Sequence, residues 1–122
     1  MKFSLESAAT ANGIRAYAPG EVRIGEAIYR RSLVVSGERL IADWGPERFE
    51  DLTAENLKLL VAFDPEVVIL GCGNTQRFPN ASVLAPLTQQ GVGVEVMETG
   101  AACRTFNILL AEERRVVAAL IV

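Results

Sequence analysis

Apolar and polar positions follow two rhythms along this chain, and the change comes near its middle. In the first 45 residues short β-prone runs at 14–17, 21–24, 31–35 and 39–43 are separated by Asn12-Gly13, Pro19-Gly20, Gly25 and Ser36-Gly37. Glycine and asparagine reach the left-handed torsions of tight turns, and proline pre-sets the first turn torsion, so runs this closely spaced predict antiparallel hairpins. Ser36-Gly37, flanked by Leu33-Val34-Val35 and Leu40-Ile41, is the clearest of these turns.

From about Phe49 onward helix and strand patterns alternate. Thr53 is placed to cap a helix reaching Phe63, and Leu52 to staple against Leu57. At helical spacing Leu57, Leu60 and Val61 share a face from which Glu55 and Lys58 turn away. Asp64-Pro65 ends that helix, because proline disfavours helical backbone in the residue before it. Residues 66–70 form an apolar run of the kind covered on both faces. A helix follows within 81–90, with Pro86 bending it or sitting in its first turn and Gly91 capping its end. A strand at 92–98 comes next, then a helix opening at Thr99 with Ala102, Phe106, Leu109 and Leu110 on one face, then a strand at 116–122. Strand, helix, strand, helix, strand makes two βαβ units. The predicted fold is therefore α/β: a single domain over 1–122 with a central mixed, mostly parallel sheet, βαβ units in the C-terminal half and antiparallel hairpins in the N-terminal part.

Composition narrows the function. Of the 122 residues, half are hydrophobic and 22% charged, enough for one proper core. Twelve Lys and Arg against fifteen Asp and Glu give a net charge of -3, which argues against a nucleic-acid partner. There is no histidine, which removes Ser–His and Cys–His catalysis, histidine metal sites and histidine pH switching. The two cysteines, Cys72 and Cys103, cannot complete a zinc site by themselves, so neither metal nor cofactor is expected. No apolar stretch approaches the roughly 20 residues of a membrane span, and the N-terminus has no apolar signal region. The expectation is a cytoplasmic protein without a transmembrane segment.

Ligands of open α/β sheets gather at the carboxyl ends of the strands. Here that edge holds Gly71-Cys72-Gly73 and Glu98-Thr99-Gly100, where the last helix would present its N-terminal amides. Gly71-x-Gly73 lacks the third glycine of a dinucleotide fingerprint, since position 76 is Gln, and its helix starts only after Pro79-Asn80. Glycines that turn the chain sharply off a buried strand are the better reading. Cys72 sits where a nucleophile is displayed, with Arg77 or Arg104 to favour a thiolate, but no imidazole exists to serve as its base. Arg104 and Asn107, three apart on the last helix, are placed to grip an anionic or carbonyl-bearing ligand or a partner's backbone; Arg104 pairing with Glu98 is the plainer alternative. Trp44, the sole tryptophan, suits packing across the seam between the two halves. No set of residues stands out as catalytic.

Several stretches taken together resemble a known family. These are Val67 to Gly73, Gly91 to Thr99, Ala102 to Leu109 and Arg115 to Leu120, with Asp43-Trp44 before them. In order and spacing they resemble the small α/β family that includes a mitochondrial NADH dehydrogenase (complex I) assembly factor and an adipogenesis-associated protein, alongside bacterial and archaeal members. The resemblance implies one α/β domain with a central mixed sheet and carries over no catalytic residue. Members often have threonine where this chain has Cys72, which weakens a nucleophilic role. Gly71, Gly73, Thr99, Arg104 and Asn107 match the family's pattern and are the positions expected to line a shared cleft. The function this implies is a non-enzymatic accessory or assembly factor acting through a protein partner. The alternative is a protein or enzyme that binds a small, anionic molecule at the Gly71–Gly73 loop and the start of the last helix.

Overall fold

The computed structural model describes residues 12–122. Its first three strands, β1 (Ile14–Ala18), β2 (Glu21–Ile24) and β3 (Ala27–Tyr29), form an antiparallel meander of their own. On β2, Val22 and Ile24 are buried while Arg23 between them is exposed, the alternation of a half-covered strand. β3 was not anticipated: three residues are too few to display a period, and the sequence pointed instead to a strand beginning at Arg31.

That strand forms two residues later, as β4 (Leu33–Ser36), and the 39–43 run contracts to β5 (Leu40–Ile41). The turn between them is the predicted one. Val35 faces Leu40, the Ser36 amide donates to the Arg39 carbonyl at 2.8 Å, and the Ser36 hydroxyl accepts the Arg39 amide at 3.1 Å. β4 then pairs antiparallel with β8 (Val116–Leu120), so the hairpin extends a larger sheet. With β6 (Val67–Gly71) and β7 (Gly93–Met97) the order is β5-β4-β8-β6-β7, in which β6 runs parallel to both β7 and β8. Every residue of β6 and β8 is buried, as their continuous apolar runs require.

Alternation along those strands divides the interior in two. Leu33, Val35, Ile69, Ala118 and Leu120 face one cover, and Val34, Val68, Leu70, Val117 and Ala119 face the other. The first cover is the meander with α3 (Thr99–Ala111), whose Phe106 is fully buried. The second is built from Trp44, α1 (Ala54–Lys58) and α2 (Ala81–Thr88), which add Leu57 and Leu87 with Leu60 between them. Burying one such side chain stabilises the fold by about 1.5–3 kcal/mol.

α1 starts at a capping box. Asn56 accepts the Thr53 amide at 2.8 Å and donates its own amide to the Thr53 hydroxyl at 3.3 Å. The helix predicted to run to Phe63 tightens to a 3₁₀ turn over Leu59–Phe63 and ends at Asp64 in the left-handed conformation, just ahead of Pro65. Pro86 lies inside α2, where it removes one helical donor, and the helix ends two residues later. Trp44 is buried, with its indole N–H on the Asn56 carbonyl at 3.2 Å, so it packs across the seam as expected. Among the described residues no helix is long and apolar enough to cross a membrane.

Candidate functional site

β6 and β8 deliver their carboxyl ends to the point where α3 begins, and a single hydroxyl organises the junction. The Thr99 side chain, fully buried, donates to the Ile121 carbonyl at 2.7 Å and accepts the Gly73 amide at 2.8 Å. Its backbone amide donates to the Gly73 carbonyl at 2.8 Å, and the Ile121 amide donates to the Gly71 carbonyl at 3.0 Å. Gly71 is required by closeness: a Cβ there would stand 3.0–3.1 Å from Leu120 and Thr99. Gly73 is required by torsion, since its φ of +99° is one that side chains rarely adopt. These three residues therefore come together, with their polar groups turned on one another.

The start of α3 is closed in the same way. Glu98 is its N-cap, and its carboxylate accepts the Ala101 amide at 2.6 Å, which places a negative charge at the positive end of the helix. Arg104, exposed, lies 3.8 Å from that carboxylate. Asn107 faces the meander instead. Its Oδ1 accepts the Ile14 amide at 2.8 Å and its Nδ2 donates to the Ile14 carbonyl at 2.7 Å, so one side-chain amide satisfies β1 as a neighbouring strand would. One turn before Arg104 and slightly more, Gly100 lets the Tyr17 ring close in: a Cβ would meet it at 3.3 Å.

Arg104 and Asn107 consequently line a shallow cleft of about 260 Å³ between β1 and α3, away from the glycine loop. Two titrating groups sit along it. Burial raises the Tyr17 phenol, helped by the charge of Glu98. Burial also pushes the Cys103 thiol up to about 12, helped by Glu98 and opposed by Arg104. Such a thiol stays protonated at neutral pH and is a poor nucleophile.

On the other side of the loop lies a cleft of about 450 Å³ lined by Phe49, Glu50, Gly73, Asn74, Thr75 and Arg77. Arg77 donates to the Glu50 carboxylate at 2.9 Å and stacks over the Phe49 ring at 4.5 Å. The Glu50 carboxyl is held below its usual range, first by a hydrogen bond from its own backbone amide and then by Arg77. Cys72 shapes this loop from beneath. Its sulfur accepts the Arg77 amide at 3.2 Å and lies 3.1 and 3.2 Å from the Met97 and Thr75 carbonyls. Sequence reasoning considered Arg77 only beside Cys72 and left out Phe49 and Glu50, whose partner is 27 residues away. Among the described residues no group of three or more Cys, Asp or Glu side chains is placed to hold a metal ion.

Comparison with known proteins matches this architecture. The family model described as "Protein of unknown function (DUF498/DUF598)" covers residues 14–121. A curated relative from Danio rerio, named NADH dehydrogenase (ubiquinone) 1 alpha subcomplex assembly factor 3, is 40% identical over 83 residues, 66% of this chain and 48% of the relative. The chain spans about half the length of the curated assembly factors it matches. A crystal structure of a Bordetella parapertussis protein superposes with a TM-score of 0.85 at 38% identity, covering 91% of this chain and 95% of the other. A solution structure of a Bordetella pertussis protein, described as a Mth938-like domain, gives 0.79 at 32% identity, covering 93% and 86%. With residues 14–121 matched by one family model and its fold shared over 91% of the chain with a 38% identical structure, the chain belongs to the DUF498/DUF598 family.

Proposed function

We propose that this protein is a non-enzymatic accessory factor that assists the assembly of a larger complex by binding a protein partner. The observation that carries the reading is the inward turn of the polar groups at the sheet's carboxyl ends. Gly71, Gly73, Thr99 and the Glu98 cap bond to one another or to the backbone beside them. The name carried by its relatives points to the same role and, more finely, to an NADH dehydrogenase as the complex assisted. Two buried free thiols, Cys72 and Cys103, suit a reducing compartment, and the cytoplasm is part of the proposal. The test is a deletion strain examined on native gels. Accumulated NADH dehydrogenase subcomplexes, cleared by restoring the gene, are expected; normal assembly in the deletion would sink the reading.

A second reading rests on the 450 Å³ cleft, whose Asn74, Thr75 and Arg77 suit a small anionic molecule. A metabolite panel followed by thermal shift decides it, because a ligand of the folded state must raise its melting temperature. A shift that disappears in Arg77→Ala supports the ligand. No shift in the panel removes it.

A further inference from the structure

The 450 Å³ cleft lies between the turn at Phe49–Asp51 and the loop at 72–77, and a single side chain fastens one wall to the other. Among the described residues no hydrogen bond joins 47–51 to 72–77 except that of Arg77 on Glu50, and the same guanidinium stacks over Phe49. At 2.9 Å this is the shortest ion pair among the described residues, yet its two side chains are 47% and 56% exposed. An exposed pair is weakly held, so another anion displaces either partner at little cost. The Arg77 backbone does not depend on the pair, because its amide donates to the Cys72 sulfur at 3.2 Å. The loop offers further donors beside the guanidinium. Tyr17 donates to the Asn74 Oδ1 at 3.3 Å, which leaves the Nδ2 end without a partner among the described residues, and Thr75 adds a hydroxyl. The charges that line the cleft balance, Arg48 and Arg77 against Glu47 and Glu50. Glu47 is held apart from Arg77, by Arg31 at 3.5 Å and the Ser32 hydroxyl at 3.5 Å.

We infer that Glu50 is a tethered stand-in for a small monocarboxylate ligand, which displaces it from Arg77 and takes its place in the cleft. This rests on the small-molecule reading given above and adds the ligand's class and the side chain that regulates its entry. The stand-in indicates the class, because the planar fork of a guanidinium fits any carboxylate as it fits that of Glu50. Charge sets the number. One negative charge that enters as Glu50 swings out to water keeps the cleft in balance, whereas a second would meet Glu47. Phe49 gives an apolar remainder of the ligand a surface to lie against.

The test is an NMR titration of the full chain, isotope-labelled, at fixed ionic strength. The probes are benzoate, uncharged benzamide and phenyl phosphate, the last a dianion at about pH 7.5. Benzoate is expected to move the Arg77 Nε–H resonance and to bind Glu50→Gln roughly threefold more tightly than the unaltered protein, the weight of an exposed pair. Benzamide and phenyl phosphate should both bind more weakly than benzoate. In the unaltered protein the Glu50 carboxyl should titrate at higher pH once benzoate is bound, because Arg77 no longer holds its charged form. That shift carries the test should Glu50→Gln fail to fold. The inference is overturned if benzoate moves nothing near Arg77 up to about 50 mM, or if Glu50→Gln binds it no more tightly. It is overturned as well if Glu47→Gln tightens benzoate as much as Glu50→Gln, since the gain would then be one of net charge, or if either other probe binds as tightly as benzoate. An empty metabolite panel, by contrast, removes the small-molecule reading without touching the benzoate result.

Discussion

The two covers of the central sheet are held down by different means. The meander and α3 pack an apolar layer around Phe106, are tied to each other by Asn107 on both backbone groups of Ile14, and reach the loops that follow β6 and β8 through Tyr17 on Asn74 at 3.3 Å and Thr99 on Gly73 and Ile121. The cover made of Trp44, α1 and α2 also packs an apolar layer; its indole bond to Asn56 stays within the cover, while the Trp44 amide donates to the Ser32 carbonyl at 3.0 Å just before β4. The difference has a physical cause. A helix satisfies its own backbone and can settle on a sheet by shape alone. A strand at the edge of a meander leaves backbone groups open, and something must answer them in the right register. Asn107 does this for β1.

The apolar layers should prove equal in weight. Phe106→Ala under the first cover and Leu87→Ala under the second each empty a fully buried site, and each should cost about 3–5 kcal/mol by chemical denaturation. A much smaller loss for Leu87 would mean that the second cover is loosely packed. Thr99→Val keeps the shape but leaves the Ile121 carbonyl and the Gly73 amide without their partner, an expected loss of about 2–3 kcal/mol. Asn107→Ala should cost about 1–3 kcal/mol and, unlike the core truncations, should speed amide exchange at Ile14 while leaving Val117 protected. Trp44→Phe removes one hydrogen bond while keeping most of the apolar bulk, and a loss of about 1 kcal/mol is expected. A larger loss than for Asn107→Ala would reverse the contrast between the covers.

At moderately alkaline pH the smallest effect is electrostatic. Cys103 has its thiol pKa raised from 9.0 to about 12, so the folded state holds a proton that the unfolded chain releases earlier. Its contribution to stability is complete below pH 9 and is lost as pH rises from there through about 12. At the start of that window the loss is only about 0.4 kcal/mol, the factor of two at half-titration. Denaturation midpoints of the protein and of Cys103→Ala should run parallel below pH 8.5 or so and converge above it.

Much of the architecture could be read before any coordinates. The Ser36-Gly37 turn, the Thr53 cap, the doubly covered strands at 67–71 and 116–120 and the last helix all announce themselves within a few residues, because turn torsions, capping and periodicity are local. β3 was too short to announce itself, and the break at Leu59 came from a stretch whose apolar spacing fits α and 3₁₀ turns alike. The candidate site was legible as positions but not as roles. Gly71, Gly73 and Thr99 do meet, yet a threonine hydroxyl reads the same whether it faces a ligand or, as here, closes on Ile121. Asn107, placed by its spacing beside Arg104, bonds to a backbone 93 residues away.

The sequence alone settled the succession of the longer elements, the apolar faces and the absence of imidazole chemistry, since each follows from residue identity and neighbours in the chain. Only the tertiary structure decided which strand lies beside which and where each polar side chain finds its partner. β4 stands against β8 across more than 80 residues, and Arg77 against Glu50 across 27. Those pairings depend on distances that exist only after the chain has closed on itself, because a hydrogen bond is specific to about half an ångström and a hydropathy pattern is not.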